Sequence, residues 1–315
     1  MGWPCRTELW GDTLAQARAD YAAVANAVAA FEPVTMIANT GSEAAQARAA
    51  CAAAVEIVEL GLDDSWLRDT GPIYTYSDDG ERIAVHFGFN AWGQKFEGFD
   101  RDAAVGGEIA RRLGDRVVDG RMVLEGGSVL TNGAGTLLTT EQCLLHPNRN
   151  PSLDREQIES KLASALGIET FIWLGQGLVE DRDTDGHVDL IAAFTRRNRV
   201  LLQTVEPNNP NHDNCEENVR RLQAAGLDVV ELPLLPYAEV AGERVAGSYM
   251  NLYICNGAVI VPVADQDSDE EALAIIAAEF RGREVVPVPG LVLAFGGGGP
   301  HCITQQVPVR EPKHA

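Results

Sequence analysis

Helix signals recur along this chain with starts near residues 100, 153, 212 and 268, a spacing close to 55 residues, and a repeat of that length dictates how the units can bury their apolar faces. Each signal is an apolar-periodic run that breaks at a glycine or a short gap and leads into a strand-like run. Residues 100–113 lead to Arg116-Val117-Val118, 153–166 to Thr170–Leu174, 212–225 to Asp228–Leu232 and 268–280 to Glu284–Val288. Between them lie paired strand runs with turn residues, over 128–140 and again over 251–263 around Asn256-Gly257, which read as hairpins. Upstream, 13–31 and 42–53 both look helical, ahead of Val34–Ala38 and Val55–Leu60, so five units are expected, the first of them irregular. A unit of two or three strands and one helix cannot bury its apolar face alone, so the units must pack around a common axis or along a line. The expectation is an α/β fold of five repeated strand-helix units, a pseudo-symmetric five-bladed propeller, with a doubly wound sheet as the alternative. No Ser/Gly/Pro-rich linker interrupts it, so 1–315 reads as a single domain.

Charge narrows the function. The 25 Lys and Arg against 46 Asp and Glu leave a formal net charge of −21, a field that repels phosphate backbones and attracts small cations. Nucleic acid is therefore set aside as a partner. No stretch reaches the ~20 apolar residues of a membrane span, and the first residues lack a basic segment followed by an apolar one, so a cytoplasmic protein is expected. Six cysteines stand without Cys-x-x-Cys spacing, which fits reduced thiols better than a disulfide framework or a zinc site.

Each unit carries a polar cluster just beyond its post-helix strand: Trp66-Leu67-Arg68-Asp69, Glu125-Gly126-Gly127-Ser128, Gly186-His187-Val188-Asp189, Gly247-Ser248-Tyr249-Met250-Asn251 and Gly296 to Cys302. The spacing of Asp69, Glu125, His187, Tyr249 and Cys302 follows the repeat, which predicts one shared central site. That site would hold a thiol (Cys302), an imidazole (His187) and three carboxylates (Asp69, Glu125, Asp189). Carboxylates around a thiol disfavour the thiolate, which makes hydrolysis of a neutral amide awkward. A planar guanidinium removes the difficulty, because two carboxylates can each take paired N–H bonds from it while its charge favours the thiolate. His187 and Asp189 are expected side by side on one face of a strand. The run Gly296–Gly299 would let backbone approach a ligand closely, and the flat ring of Trp66 suits a guanidinium face. No second histidine stands at ligand spacing from His187, Asp189 and Glu125, so a metal is not expected.

The strings Asp63–Pro72, Phe89–Gly93, Leu124–Ser128, Thr139–Asn150 and His301–Gln306 resemble agmatine deiminases, within a guanidine-modifying superfamily that includes bacterial peptidylarginine deiminases. The resemblance runs from Gly2-Trp3-Pro4 to about Pro308. It implies a five-bladed α/β propeller and thiol-based hydrolysis of a guanidinium to a ureido group and ammonia, without metal or organic cofactor. Matched by motif, Cys302 is the nucleophile, and His187 the general acid and then base. Asp69 and Asp189 bind the guanidinium nitrogens, Glu125 orients or charges His187, and Trp66 lines the pocket. Three departures stand out: Met1 lies almost at the Trp-Pro motif, Leu190 follows Gly-His-Val-Asp, and Gly299-Pro300 precedes His301-Cys302. The first is expected either to cost the opening unit a strand or to reflect a misassigned start codon, and the others to alter the far end of the pocket. Agmatine's amine needs an acidic end, for which the Glu180, Asp181, Asp183 and Asp185 loop is the candidate, with Asp183 named as substrate-binding. Free arginine would instead need a cation from Arg68, Arg149 or Arg182. The leading expectation is hydrolysis of agmatine to N-carbamoylputrescine and ammonia through a covalent Cys-thiouronium intermediate. The alternatives are a deiminase acting on free arginine, peptidyl arginine or another guanidine, and a silent guanidine-binding protein. The partner is thus a small cationic guanidine, with self-association as a homo-oligomer left open.

Overall fold

The computed structural model describes residues 1–309. Its sheets repeat one motif four times. Strands β1 (Val34–Ala38) and β2 (Val55–Glu59) form a parallel pair across the helix Ser42–Ala50. Next, β3 (Ile73–Tyr76) pairs antiparallel with β4 (Arg82–Gly88), and β5 (Arg116–Val123) returns parallel to β4 after the helix Asp100–Arg112. The same order repeats in β6 (Val129–Thr131), β7 (Thr136–Thr140) and β8 (Thr170–Leu174) around the helix Arg155–Leu166. It recurs in β9 (Ala192–Arg196), β10 (Arg199–Gln203) and β11 (Asp228–Leu232) around His212–Ala224. A free-standing hairpin of β12 (Tyr237–Val240) and β13 (Glu243–Ala246) follows. The last unit comprises β14 (Tyr253–Cys255), β15 (Ala258–Val263) and β16 (Glu284–Pro289) with the helix Ser268–Glu279.

Local chemistry explains these boundaries. Asp154 and Gln157 close a capping box at the start of Arg155–Leu166, and Gly167 ends that helix in the left-handed region at φ 71°. The expected hairpin at Asn256-Gly257 turns at Gly257, with φ 79°. The first unit is irregular, as expected. In place of an antiparallel hairpin partner, the N-terminal segment lies along β1 through a parallel Gly2–Ile37 bridge, with Trp3 N donating to Ile37 O at 2.7 Å and Ile37 N to Met1 O at 2.8 Å.

The chain ends share one core. Trp3, Trp10, Tyr21 and Met36 pack in the same buried cluster as Tyr253, Ile260, Val288, Leu293 and Cys302, and the helix Leu14–Ala29 lies against β1, β15 and β16. No helix among the described residues is long and apolar enough to cross a membrane.

Candidate active site

The candidate side chains from Trp66 to Asp189 sit after the parallel strand that closes one unit and before the next hairpin. Asp69 lies in the single turn Leu67–Thr70 beyond β2, Glu125 two residues beyond β5, and His187 and Asp189 beyond β8. Cys302 follows β16 through the short helix Leu291–Phe295 and the glycine run. The turn Gly126–Ser128 touches both Leu67–Thr70 and Val188–Leu190, so these segments do converge.

Cys302 is buried, and its Sγ lies 3.4 Å from Asp189 Oδ2. Asn251 holds the same residue twice: Nδ2 donates to Sγ at 3.1 Å, and Oδ1 accepts from Cys302 N at 3.1 Å. Burial, then the charges of Asp189 and Asp69, push the Cys302 thiol well above its ordinary range. The free site thus favours the thiol, as the excess of carboxylates predicts.

Asp69 Oδ1 accepts from Gly127 N at 2.9 Å and Oδ2 from Trp92 Nε1 at 2.9 Å. Burial raises its carboxyl to about 6, with Asp189 and Glu125 adding to the rise and His187 and Trp92 opposing it. Burial also acts against the Asp189 carboxylate, but the hydrogen bond and charge of His301, with His187 and Arg68, outweigh it and hold Asp189 below its ordinary value. Nδ1 of His301 stands 2.7 Å from Asp189 Oδ2. Burial and then Arg68 lower the His301 imidazole, although Asp189 pulls the other way. Nδ1 of His187 lies 3.9 Å from Asp69 Oδ1 and 4.0 Å from Asp189 Oδ1, so the ring faces both carboxylates without a hydrogen bond to either.

Two glycines are sterically required. A Cβ on Gly127 would stand 2.6 Å from His187 Nδ1 and 2.9 Å from Asp189 Oδ2, and one on Gly298 would stand 2.8 Å from both Cys302 Sγ and the Trp66 ring. Backbone therefore passes between these side chains where no side chain of its own would fit.

Cys302, Asp69, Trp66 and Asp183 line one narrow pocket, together with Trp92 and Phe96. Trp66 stacks on Trp10 at 5.9 Å between ring centroids. Within the acidic loop, Glu180 is held by Asn211 and Tyr237. Asp181 caps the backbone of Thr184, Gly186 and His187. Asp185 is held by Lys95 and Arg149. Asp183 alone of the four presents a carboxylate without a hydrogen-bond partner among the described residues, and burial followed by Asp181 raises its carboxyl.

Some expectations need correction. His187 and Asp189 do not lie on a strand: His187 precedes the 3-10 turn Val188–Leu190, because Gly186 at φ 87° and the Asp181 cap bend the chain there. Tyr249 is not at the centre, since its hydroxyl bonds Asp269 at 2.6 Å and Ser268 at 2.8 Å, and Asn251 contacts the thiol instead. Glu125 Oε1 is taken by Arg149 Nε at 2.6 Å, and Oε2 makes no hydrogen bond among the described residues. Glu125 does come close to His187: one ligand atom each of Glu125, Cys143 and His187 lie within 4.8 Å of one another. By distance the three could hold a metal, but the buried Arg149 cation already on Glu125 opposes a second one. Arg149 is itself unavailable to a substrate carboxylate, being paired with Glu125 and Asp185. Arg68 is buried behind the site, donating to His301 O and Gln306.

Comparison with known proteins gives the same direction. The model of the Porphyromonas-type peptidyl-arginine deiminase family matches residues 1–308. Agmatine deiminases from Stutzerimonas stutzeri (strain A1501) and Pseudomonas aeruginosa (strain LESB58) are each 41% identical to this chain, over 98% of it and 92% of the relative. Among solved structures, the agmatine deiminase of Enterococcus faecalis superposes with a TM-score of 0.93 at 31% identity, over 98% of this chain and 92% of that one. A cysteine-to-serine variant of the C. jejuni agmatine deiminase, with substrate bound, superposes at 0.88 and 29% identity, over 94% and 88%.

Proposed function

The chain belongs to the Porphyromonas-type peptidyl-arginine deiminase family, and from that membership we infer that it is an agmatine deiminase, a hydrolase converting agmatine and water to N-carbamoylputrescine and ammonia. The observation that carries this reading is the 41% identity to agmatine deiminases across 98% of the chain. A buried thiol facing Asp69 and Asp189 in one acid-rich centre agrees with it.

In this reading the guanidinium enters against Trp66 and Trp92, and its N–H groups bind Asp69 and Asp189. The incoming positive charge offsets the burial and the two carboxylates that hold the thiol protonated, so the thiol passes its proton to His187 and the thiolate forms where the electrophilic carbon arrives. Sγ adds to that carbon, a C–N bond breaks, and His187 gives a proton to the departing ammonia. The S-alkylthiouronium left on Cys302 is attacked by water, from which His187, oriented by Glu125, takes a proton, and the C–S bond breaks to free the ureido product. No step calls for a metal or organic cofactor. Asp183 takes the amine at the far end of the substrate.

The repeated units are read as blades of one five-bladed ring in a single domain, supported by the packing of Leu14–Ala29 on the last unit's strands. The six free cysteines suit a reducing cytoplasm.

The test is ureido-product and ammonia formation from agmatine, free arginine and a blocked peptidyl arginine, with Cys302→Ala as control. Turnover of agmatine above the others, abolished in a folded Cys302→Ala protein, is expected. No ammonia from agmatine between about pH 6 and 10, the span of the unperturbed His and Cys values, would refute the assignment.

A further inference from the structure

Asp185 is gripped by two cations from different parts of the chain. Lys95 Nζ donates to Oδ1 at 2.7 Å, and Arg149 Nη1 donates to Oδ2 at 2.6 Å, with Asn148 Nδ2 adding a bond at 3.0 Å. The same cations hold three successive carbonyls of that loop. Lys95 Nζ also donates to Arg182 O at 2.6 Å and Asp183 O at 2.9 Å, and Arg149 Nη2 to Thr184 O at 2.9 Å. All three ammonium protons of Lys95 therefore serve one loop, whose remaining carboxylate, Asp183, lines the substrate pocket.

Both cations are tied to the reacting centre at their other ends. Arg149, with its side chain fully buried, donates through Nε to Glu125. Lys95 follows four consecutive residues with positive φ, Ala91 to Gln94, at 55°, 52°, 87° and 65°. Three of these are not glycine, so the turn persists only where its surroundings over-determine it. Asn90 Oδ1 caps the turn through Gly93 N at 2.9 Å, and Trp92 within it bonds Asp69 at 2.9 Å.

We propose that Lys95, with Arg149, sets the chain-length selectivity of the site by fixing Asp183 at a set distance from Cys302. This deepens the assignment to agmatine and rests on Asp183 receiving the amine. An ω-aminoalkylguanidine whose carbon chain matches that distance engages both ends at once, and shorter or longer chains give up one contact. Lys95 is thus a positioning residue, acting through the loop rather than on the substrate. Arg149 couples the same loop to Glu125, so a release of the loop that spares Arg149 leaves the reacting groups in place.

The test measures kcat/KM for ω-aminoalkylguanidines with three to six methylenes and for butylguanidine, which lacks the amine, in wild type, Lys95→Met, Lys95→Arg and Asp183→Asn. Wild type is expected to peak sharply at the four-methylene chain. Lys95→Met should flatten that peak by about tenfold while butylguanidine changes by less than about twofold, and Lys95→Arg should restore part of the peak. A peak unchanged in Lys95→Met but lost in Asp183→Asn overturns the clamp alone. Equal loss on all substrates, butylguanidine included, also overturns it, because Lys95 would then act on fold or chemistry. A wild type active on butylguanidine or arginine but on none of the ω-amino compounds overturns the agmatine assignment itself, and the clamp with it.

Discussion

The Oδ2 atom of Asp189 lies 3.4 Å from Sγ of Cys302, a carboxylate set against the thiol expected to attack the substrate. A neighbouring anion disfavours thiolate in the free enzyme, yet in the proposed mechanism the same carboxylate, whose Oδ1 makes no hydrogen bond among the described residues, binds the cation that reverses the balance. Opposite responses of reactivity and catalysis follow. Asp189→Asn removes one cause of the raised thiol pKa, so alkylation of Cys302 by iodoacetamide at pH 7 should speed up, about tenfold for each pKa unit recovered. Agmatine turnover should fall, since a hydrogen bond to a charged group is worth about 1.5–3 kcal/mol, or roughly 10- to 100-fold. Peptide mass mapping of the alkylated residue and steady-state kinetics check both. If both rates drop together, Asp189 does not oppose the thiolate.

Asp69 gives a pH signature. Its carboxyl is raised to about 6 by burial first, and binding a guanidinium requires the ionised form. We predict an acid limb in kcat/KM for agmatine centred near pH 6. The stability consequence has a definite sign. The folded pKa exceeds the unfolded value, so the folded state holds this proton more tightly, and stability falls as pH rises from about 4 through 6. A shift of this size corresponds to about 2–3 kcal/mol above pH 7, set against the two hydrogen bonds the carboxylate accepts. Asp69→Asn should therefore abolish turnover and lessen the loss of stability between pH 4.5 and 8 by about 2 kcal/mol. Urea unfolding of both proteins at the two pH values measures it, and identical pH dependence would show that Asp69 is not strained by burial.

Much of this fold is legible in the sequence because helix periodicity and turn chemistry are local. The runs 100–113, 153–166, 212–225 and 268–280 correspond to Asp100–Arg112, Arg155–Leu166, His212–Ala224 and Ser268–Glu279. The convergence of Cys302, Asp69, His187 and Asp189 follows from the repeat together with the family motifs. What stays hidden depends on contacts across long separations. His301 meets Asp189 across 112 positions and Arg68 meets Gln306 across 238, and neither pairing has a local signal. Lys95 is equally silent: it follows the left-handed turn at φ −76°, and the loop groups it holds, Arg182 O, Asp183 O and Asp185 Oδ1, stand 87, 88 and 90 positions away. His187 reads as a strand residue because alternation ignores the cap that Asp181 places on its backbone.

The choice between Tyr249 and Asn251 is a further case, and one open to direct test. Spacing alone picks Tyr249, because the step from His187 matches the repeat, but two residues along the same loop decide which side chain turns inward. Tyr249 is fully buried and points its hydroxyl to Asp269 and Ser268 at the start of the last long helix. Asn251 Nδ2 instead touches Sγ of Cys302, and the same amide bonds Asp189 O at 3.3 Å. Tyr249→Phe should leave agmatine turnover within about twofold and cost about 1–2 kcal/mol of stability, the loss of buried hydrogen bonds that leaves a partner unpaired. Asn251→Ala should lower kcat at least about tenfold with a smaller change in KM. It should also slow alkylation of Cys302, because a donor that favours the thiolate is gone. Steady-state kinetics, thermal melts and iodoacetamide rates on the two variants separate these effects. A kinetic defect in Tyr249→Phe with none in Asn251→Ala would return the fourth cluster's role to the tyrosine.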